Sequence, residues 1–350
     1  MNDRERFIAC MEYQPADRRP HHERGVESET RARWERENPE AVSGFAWNWF
    51  EGEGALGLDR RDAVPVDYGL LPPSAEAPLD EQAPPALPLV STSEDVAGLR
   101  RRLEASAPGR YPADLDASIE GWLRRDCSLG LGRTCAIHGF CRQARQLMGD
   151  VNVSLDAGDE HSGLIHEVMT FWADFLIETS RPVLEKIHVD FVILHEDPSL
   201  KGAPLQNPET YRAFVFPHLK RLVDFFREHG TRYVAVDVAD DPTALIPHLM
   251  EAGVDTLMPI DRAADTGPQE WRRRFGPSLR LWGGVDPRIL LLGADAVRAH
   301  LREFIPLIEE GGFIPMVDRP VPPDVSWDAF RAYIDLKQEL LCGNFAALGA

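Results

Sequence analysis

The residues best suited to chemistry in this chain sit at the ends of short apolar runs. From the middle of the sequence onward these ends read His195-Glu196-Asp197, Asp237 with Asp240-Asp241, Asp261, Asp286, and Asp318-Arg319. Carboxylates with an imidazole suit general acid–base work, metal ligation, or the binding of cationic and hydroxylated substrates. Asp also caps helices, and Asp241 before Pro242-Thr243 and Asp286 before Pro287 fit that use equally well. Asp237 differs because it sits inside an apolar strand. A carboxylate buried there needs a partner, so we read it as functional. Two other groupings invite a metal. Cys135-Ala-Ile-His138-Gly-Phe-Cys141 sets two thiols and an imidazole within seven residues, yet the spacing is not a standard zinc pattern and no fourth ligand lies near. Buried structural cysteines are the expectation there. In His21-His22-Glu23, neighbouring side chains of an extended segment point to opposite faces, so one His at most serves a given site.

These groups can act together only if their elements converge. His188 to His195 is a β-rich run, followed by an amphipathic helix over Pro208 to His229. Strands are then expected at Arg232–Val238, Val254–Ile260, Leu279–Val285 and Phe313–Val317. Helices are expected at Thr243–Ala252, Pro268–Phe275, Ala294–Glu309 and Trp327–Leu341. Alternating strand and helix with short connections is the signature of right-handed βαβ units and a parallel sheet. No GxGxxG follows the first strand and no P-loop occurs, which counts against the nucleotide-binding doubly wound folds, and a barrel fits the strand count better than an open sheet. The expected fold is therefore α/β, a (β/α)8 TIM barrel in a single domain. Residues 126–350 would form the barrel body and residues 1–125 an N-terminal elaboration packed on it. Within that elaboration, Asp3 to Met11, Glu29 to Glu37 and Glu94 to Ala105 read as helices. Ser91 or Ser93 would cap the last, Ser91 having Glu94 at capping-box spacing. The proline-rich stretch Ala75 to Pro88 reads as a surface loop.

The 350 residues carry a formal net charge of -19, a field that repels nucleic acid and anionic membranes. No run approaches the roughly 18 apolar residues of a membrane helix, and the charged start lacks a signal peptide's apolar stretch. Five scattered cysteines argue against a disulfide framework, so a cytoplasmic enzyme is the expectation.

Several blocks resemble one family. Arg4-Glu5-Arg6-Phe7 with Pro15-Ala-Asp17-Arg18-Arg19-Pro20 resembles the opening of uroporphyrinogen decarboxylase and its relatives. So do Arg142 with Leu147-Met148-Gly149, His195-Glu196-Asp197 with Lys201-Gly202, Leu281-Trp-Gly283-Gly284-Val-Asp286, and Gly311-Gly312 with Val321-Pro322-Pro323-Asp324-Val325-Ser326. The blocks run in order along nearly the whole chain. The resemblance implies the barrel and offers two chemistries, tetrapyrrole decarboxylation and methyl transfer involving a corrinoid.

The resemblance is weakest where each chemistry is carried. Where the decarboxylase has an M-R-Q-A-G-R-Y segment with paired arginines, this chain has Pro20-His21-His22-Glu23-Arg24 followed by Glu27 and Glu29. A propionate-rich substrate would lose its bidentate clamp. The zinc methyltransferases use an H-x-C pair and a late Cys, and the aligned positions here are Asp237, Ala239 and Arg319. No thiolate is offered. The reading carried forward is methyl transfer from a small methylated substrate to a corrinoid on a partner protein. His195, Glu196 and Asp237 would be catalytic, with Arg319, Asp318, Asp261, Arg24, His22 and Trp282 contacting substrate. If a divalent metal is bound, its candidate ligands are Glu196, Asp237 and Asp261. Uroporphyrinogen decarboxylation and a non-catalytic role are the alternatives, and a homodimer is among the expected assemblies.

Overall fold

The computed structural model describes residues 1–70, 90–132, 136–152, 162–196, 207–237, 241–260 and 267–349. In chain order its strands are β1 (Arg61–Val64), β2 (Ser128–Leu131), β3 (Ala136–His138), β4 (Phe191–His195), β5 (Tyr233–Asp237), β6 (Thr256–Ile260), β7 (Arg280–Val285) and β8 (Phe313–Val317). The helices of the first half are α1 (Asp3–Met11), α2 (Ser28–Glu37), α3 (Ser93–Arg102), α4 (Leu115–Leu123), α5 (Phe140–Asn152) and α6 (Ser162–Leu184). Those of the second half are α7 (Pro208–Phe214), α8 (Phe216–Glu228), α9 (Ile246–Glu251), α10 (Pro268–Phe275), α11 (Ala294–Arg302), α12 (Ile305–Glu310) and α13 (Trp327–Leu341).

The chain forms two compact units. One comprises residues 1–62, 125–128 and 256–350, and the other 63–124 and 129–255. In the second unit β3, β4 and β5 are neighbouring parallel strands. The side chains of β4 and β5 are nearly all buried on both faces, as strands covered by helices require. α6 supplies much of that cover: Ile165, Val168, Met169, Trp172, Phe175, Leu176 and Val183 all face inward. In the first unit β6, β7 and β8 are likewise parallel neighbours, with Leu281, Trp282, Phe313 and Ile314 buried. This is the parallel α/β class expected from the strand–helix alternation.

The motifs at the amino terminus prove to be structural ties. Asn2 and Glu5 form a capping box that starts α1. Arg6 ion-pairs with Asp3 at 2.9 Å and with Asp17 and Asp59 at 3.0 Å each. The Arg6 hydrogen bond, with the chain's amino-terminal ammonium, holds Asp17's carboxyl well below the usual carboxylate range against the effect of burial. Arg19 donates to the carbonyls of Ile308 and Glu309, tying this segment to the end of α12. The late Val321 to Ser326 block acts similarly. Thr30 Oγ1 donates to the Val321 carbonyl at 2.6 Å and Trp34 Nε1 to that of Val325 at 2.9 Å. Ser326 caps α13.

Several boundaries differ from expectation, among them the helix expected at Thr243–Ala252, which is observed as Ile246–Glu251. The segment 208–229 is two helices broken at Val215, and 294–309 is two helices broken at Phe304. Pro217 and Pro306 each stand in the first turn of the new helix, where a missing N–H leaves nothing unsatisfied. α3 is capped by Thr92 in a reciprocal box with Asp95, in place of Ser91 or Ser93.

Candidate functional site

In the second unit, register places three functional side chains in a row. His138 pairs with His195 across β3 and β4, and His195 with Asp237 across β4 and β5. Each is the last residue of its strand, so all three meet at the carboxyl ends. Asp237, buried inside its strand, has the partner that burial demands. His195 Nδ1 lies 2.7 Å from Asp237 Oδ2. With the proton on Nδ1 pointed at that carboxylate, the ring is fixed and Nε2 is left for a substrate. About a quarter of the His195 side chain (27 %) is exposed, against 8 % for Asp237, so the imidazole is the reachable member.

Glu196, next along the chain, is turned elsewhere. Its Oε1 accepts from Phe140 N at 2.8 Å and its Oε2 from Cys141 N at 2.7 Å. It therefore caps the start of α5, satisfying amides that have no partner inside the helix. Burial pushes the Glu196 carboxyl up, while the hydrogen bonds from Cys141 and Phe140 pull it down. Gly139 makes the arrangement possible. A Cβ there would stand 2.4 Å from Glu196 Cδ. Gly139→Ala is therefore expected to evict the carboxylate and leave both amides bare. A loss of about 2 kcal/mol or more is expected in urea unfolding, and an unchanged midpoint would show that Glu196 can cap from another position.

His138 is the neutral member of the row. Burial first, then the Arg142 charge, pull its pKa down to about 4. Its Nδ1 lies 3.4 Å from Gln143 Oε1 and its carbonyl accepts from Trp172 Nε1 at 2.9 Å. Sequence reasoning weighed His138 only as part of a thiol–imidazole set. Its better signal was position, since it ends a short run one residue before Gly139. Cys135 of that set lies outside the described residues, and Cys141 stands in the first turn of α5. Tyr211, on α7, was not foreseen at all. It is buried beside Glu196 and Cys141, and its hydroxyl makes no hydrogen bond.

In the first unit the remaining candidates take separate places. Asp286 accepts from Arg288 N and pairs with its guanidinium at 2.6 Å, the capping use proposed for it. Asp318, the residue after β8, has a fully buried side chain with its Oδ1 3.2 Å from Arg319 Nε, while Arg319 is half exposed. Trp282 is a core residue, packed edge-on to Phe7 with its Nε1 3.3 Å from Met11 Sδ. His22 is buried, and burial holds its imidazole well below the ordinary range, with Arg61 adding to the effect. Arg24 is half-buried. Glu23, counted above as part of an anionic stretch, is fully buried and ion-paired to Lys337 at 2.5 Å. Its charge is therefore matched. Asp241 accepts from Thr243 N in a local turn, several residues ahead of α9.

Asp261, with Asp197, Asp240 and Lys201-Gly202, lies outside the described residues. Among the described residues no three His, Cys, Asp or Glu side chains group as a metal would require. Glu196 faces helix amides and Asp237 faces His195, so these two do not converge as a ligand pair. No helix among the described residues is long and apolar enough to cross a membrane.

The uroporphyrinogen decarboxylase family model matches residues 149–340. A uroporphyrinogen decarboxylase from Nocardia farcinica is 31 % identical over 181 residues, 50 % of this chain and 48 % of that protein. One from Gloeobacter violaceus is 24 % identical over 184 residues, 51 % of this chain and 49 % of that one. The chain thus matches these curated relatives over about half their length. A solved structure of a methyltransferase from Methanosarcina mazei superposes with a TM-score of 0.57 at 13 % identity, covering 97 % of this chain and 99 % of that one. That likeness is one of fold, the α/β-barrel class. On the extent of the family match, the chain belongs to the uroporphyrinogen decarboxylase family.

Proposed function

We propose that this chain is a methyltransferase that moves a methyl group from a small methylated donor to a corrinoid carried by a partner protein. The observation that carries the reading is the His195–Asp237 pair, with Nδ1 held at 2.7 Å and Nε2 left for a substrate. Breaking a methyl–heteroatom bond leaves an electron pair on the departing atom, and a positioned acid speeds that step. In the proposed step the methyl group passes to cobalt(I) of the acceptor, the carbon–heteroatom bond breaks, and His195 Nε2 delivers its proton to the leaving atom. Asp237 stabilises the imidazolium before transfer and holds the neutral ring after it. No step is assigned to a metal, since Glu196 and Asp237 are each engaged with another partner.

A methyltransferase shares the fold over 97 % of this chain, which is compatible with the reading. The amino-terminal segment also lacks the paired arginines that a many-carboxylate tetrapyrrole calls for. At that position Arg24 is accompanied by a buried, already paired Glu23.

The test is methyl transfer to cob(I)alamin from a panel of methylated amines, thioethers and ethers, with uroporphyrinogen decarboxylation measured alongside. Transfer from at least one donor is expected, with kcat lowered about 10²–10⁴-fold in His195→Gln and in Asp237→Asn. Consumption of uroporphyrinogen without any methyl transfer would replace this reading with the decarboxylase one.

A further inference from the structure

One imidazole pair stands apart from the strand ends. His166, in the second turn of α6, and His218, in the first turn of α8, come together where these helices pack. Both belong to the second unit. Their ring centroids are 6.0 Å apart, with the planes tilted by 48°. Each ring is backed by a buried phenylalanine. His166 lies 4.8 Å from Phe214 and His218 lies 6.3 Å from Phe140, centroid to centroid. His166 is exposed and His218 half-buried, so solvent and its ions reach the pair. Among the described residues neither ring makes a hydrogen bond. The phenylalanines therefore account for the ring planes and leave the nitrogens unengaged. Burial first, then His166 and the Arg221 charge, pull the His218 pKa down to about 4, so its ring stays neutral and keeps a lone pair. Arg221 is itself offset by Asp174, at 2.7 Å.

We infer that His166 and His218 form a two-imidazole site for a divalent transition-metal ion, which would clip α6 to α8. A metal–nitrogen bond of about 2.0–2.1 Å puts the ion about 3.2 Å from each ring centroid, so two rings on one ion have centroids about 5–6.5 Å apart. The observed 6.0 Å falls inside that range. Imidazole suits zinc, copper and nickel, whereas magnesium and calcium take oxygen ligands. Among the described residues no third His, Cys, Asp or Glu joins the pair, so water fills the other positions. Such a site binds more weakly than a closed four-ligand one. It shares no residue with the His138–His195–Asp237 row and is independent of the methyl-transfer reading.

The test is calorimetric titration of the chelator-treated protein with Zn2+, repeated in His166→Ala and in His218→Ala. Zinc is expected to bind with a Kd below about 1 mM. Each variant should weaken that binding at least about tenfold, because either loss breaks the chelate. Cu2+ should bind more tightly than Zn2+, and Mg2+ not measurably. Since His166 is exposed, His166→Ala should leave the metal-free urea midpoint in place. Zinc should then raise the midpoint of the parent and not that of the variant. Zinc binding that survives in either variant overturns the inference, as does binding weaker than the stated limit in the parent. Loss of binding in Cys342→Ser, which removes the exposed thiol, with both histidine variants unaffected, would move the ion to that cysteine.

Discussion

Lys337→Met is expected to lower the unfolding free energy by about 3–5 kcal/mol, the range for removing one partner of a buried ion pair. Lys337 lies on α13 with its side chain fully buried, as is that of Glu23. Its ammonium donates to Glu23 Oε1 at 2.5 Å and to the His22 carbonyl at 2.6 Å. Burial pulls the ammonium below its ordinary range and Glu23 pulls it back. The carboxylate also accepts from the Tyr333 hydroxyl at 2.6 Å and from Val317 N at 3.1 Å. One buried pair thus joins the amino-terminal segment, the end of β8 and α13. Without Lys337 the carboxylate keeps two neutral donors and loses its ion-pair partner. The double variant Glu23→Gln with Lys337→Met removes the orphaned charge while leaving an oxygen for Tyr333 and Val317. It should recover much of the loss in urea unfolding. A single variant within about 1 kcal/mol of the parent, or a double variant no better than the single, would mean that water reaches the pair.

The partners in this network show where sequence stops being legible. His22-Glu23-Arg24 could be read as polar residues at a substrate mouth, because nothing local tells a buried Glu from an exposed one. The cation that matches Glu23 is more than three hundred residues away. The five strands from β4 on were legible to within three residues, since apolar β-rich runs bounded by Asp, Gly or Pro leave little choice, whereas β1, β2 and β3 went unplaced. Of the helices, α4 and α5 also went unplaced, and α8, α9 and α12 start where a proline was read as passenger in place of starter, at Pro217, Pro247 and Pro306. α6 went unplaced because its buried positions wrap most of its circumference, which erases the amphipathic period.

The site divides in the same way. That Asp237 needed a partner followed from its place in an apolar strand. That the partner is His195 depends on the register of β4 against β5, which no single strand encodes. Glu196 is a sharper case. Its partners are main-chain amides of α5, and backbone groups carry no letter in the sequence. Its one local sign is Gly139, whose missing Cβ leaves room for the carboxylate.

The buried histidines set how the protein meets acid. His138 has its pKa pulled down to about 4, by burial first and then by Arg142. Burial pulls His21 and His22 well below the ordinary range, with Lys337 adding to it for His21 and Arg61 for His22. An unfolded histidine titrates near pH 6.5. Between that pH and the depressed folded value, the unfolded chain binds more protons, so stability rises with pH through this window. The contribution is complete above about pH 6.5 and is lost as pH falls, His138's share levelling off below about 4. For His138 alone the loss amounts to about 3 kcal/mol by that point. Glu196 works in the opposite sense, because its raised carboxyl takes up a proton sooner in the folded state. Asp17 and Asp286, both lowered, lose their contributions only below the ordinary carboxylate range of about 4. Urea midpoints are therefore expected to drop steeply between pH 6.5 and 4, ahead of ordinary carboxylate titration. In His138→Gln the same curve should be shallower, so that the variant, less stable at pH 7, approaches the parent near pH 4. Parallel curves would show that the His138 proton is not linked to unfolding, and that its ring is hydrated in the folded chain.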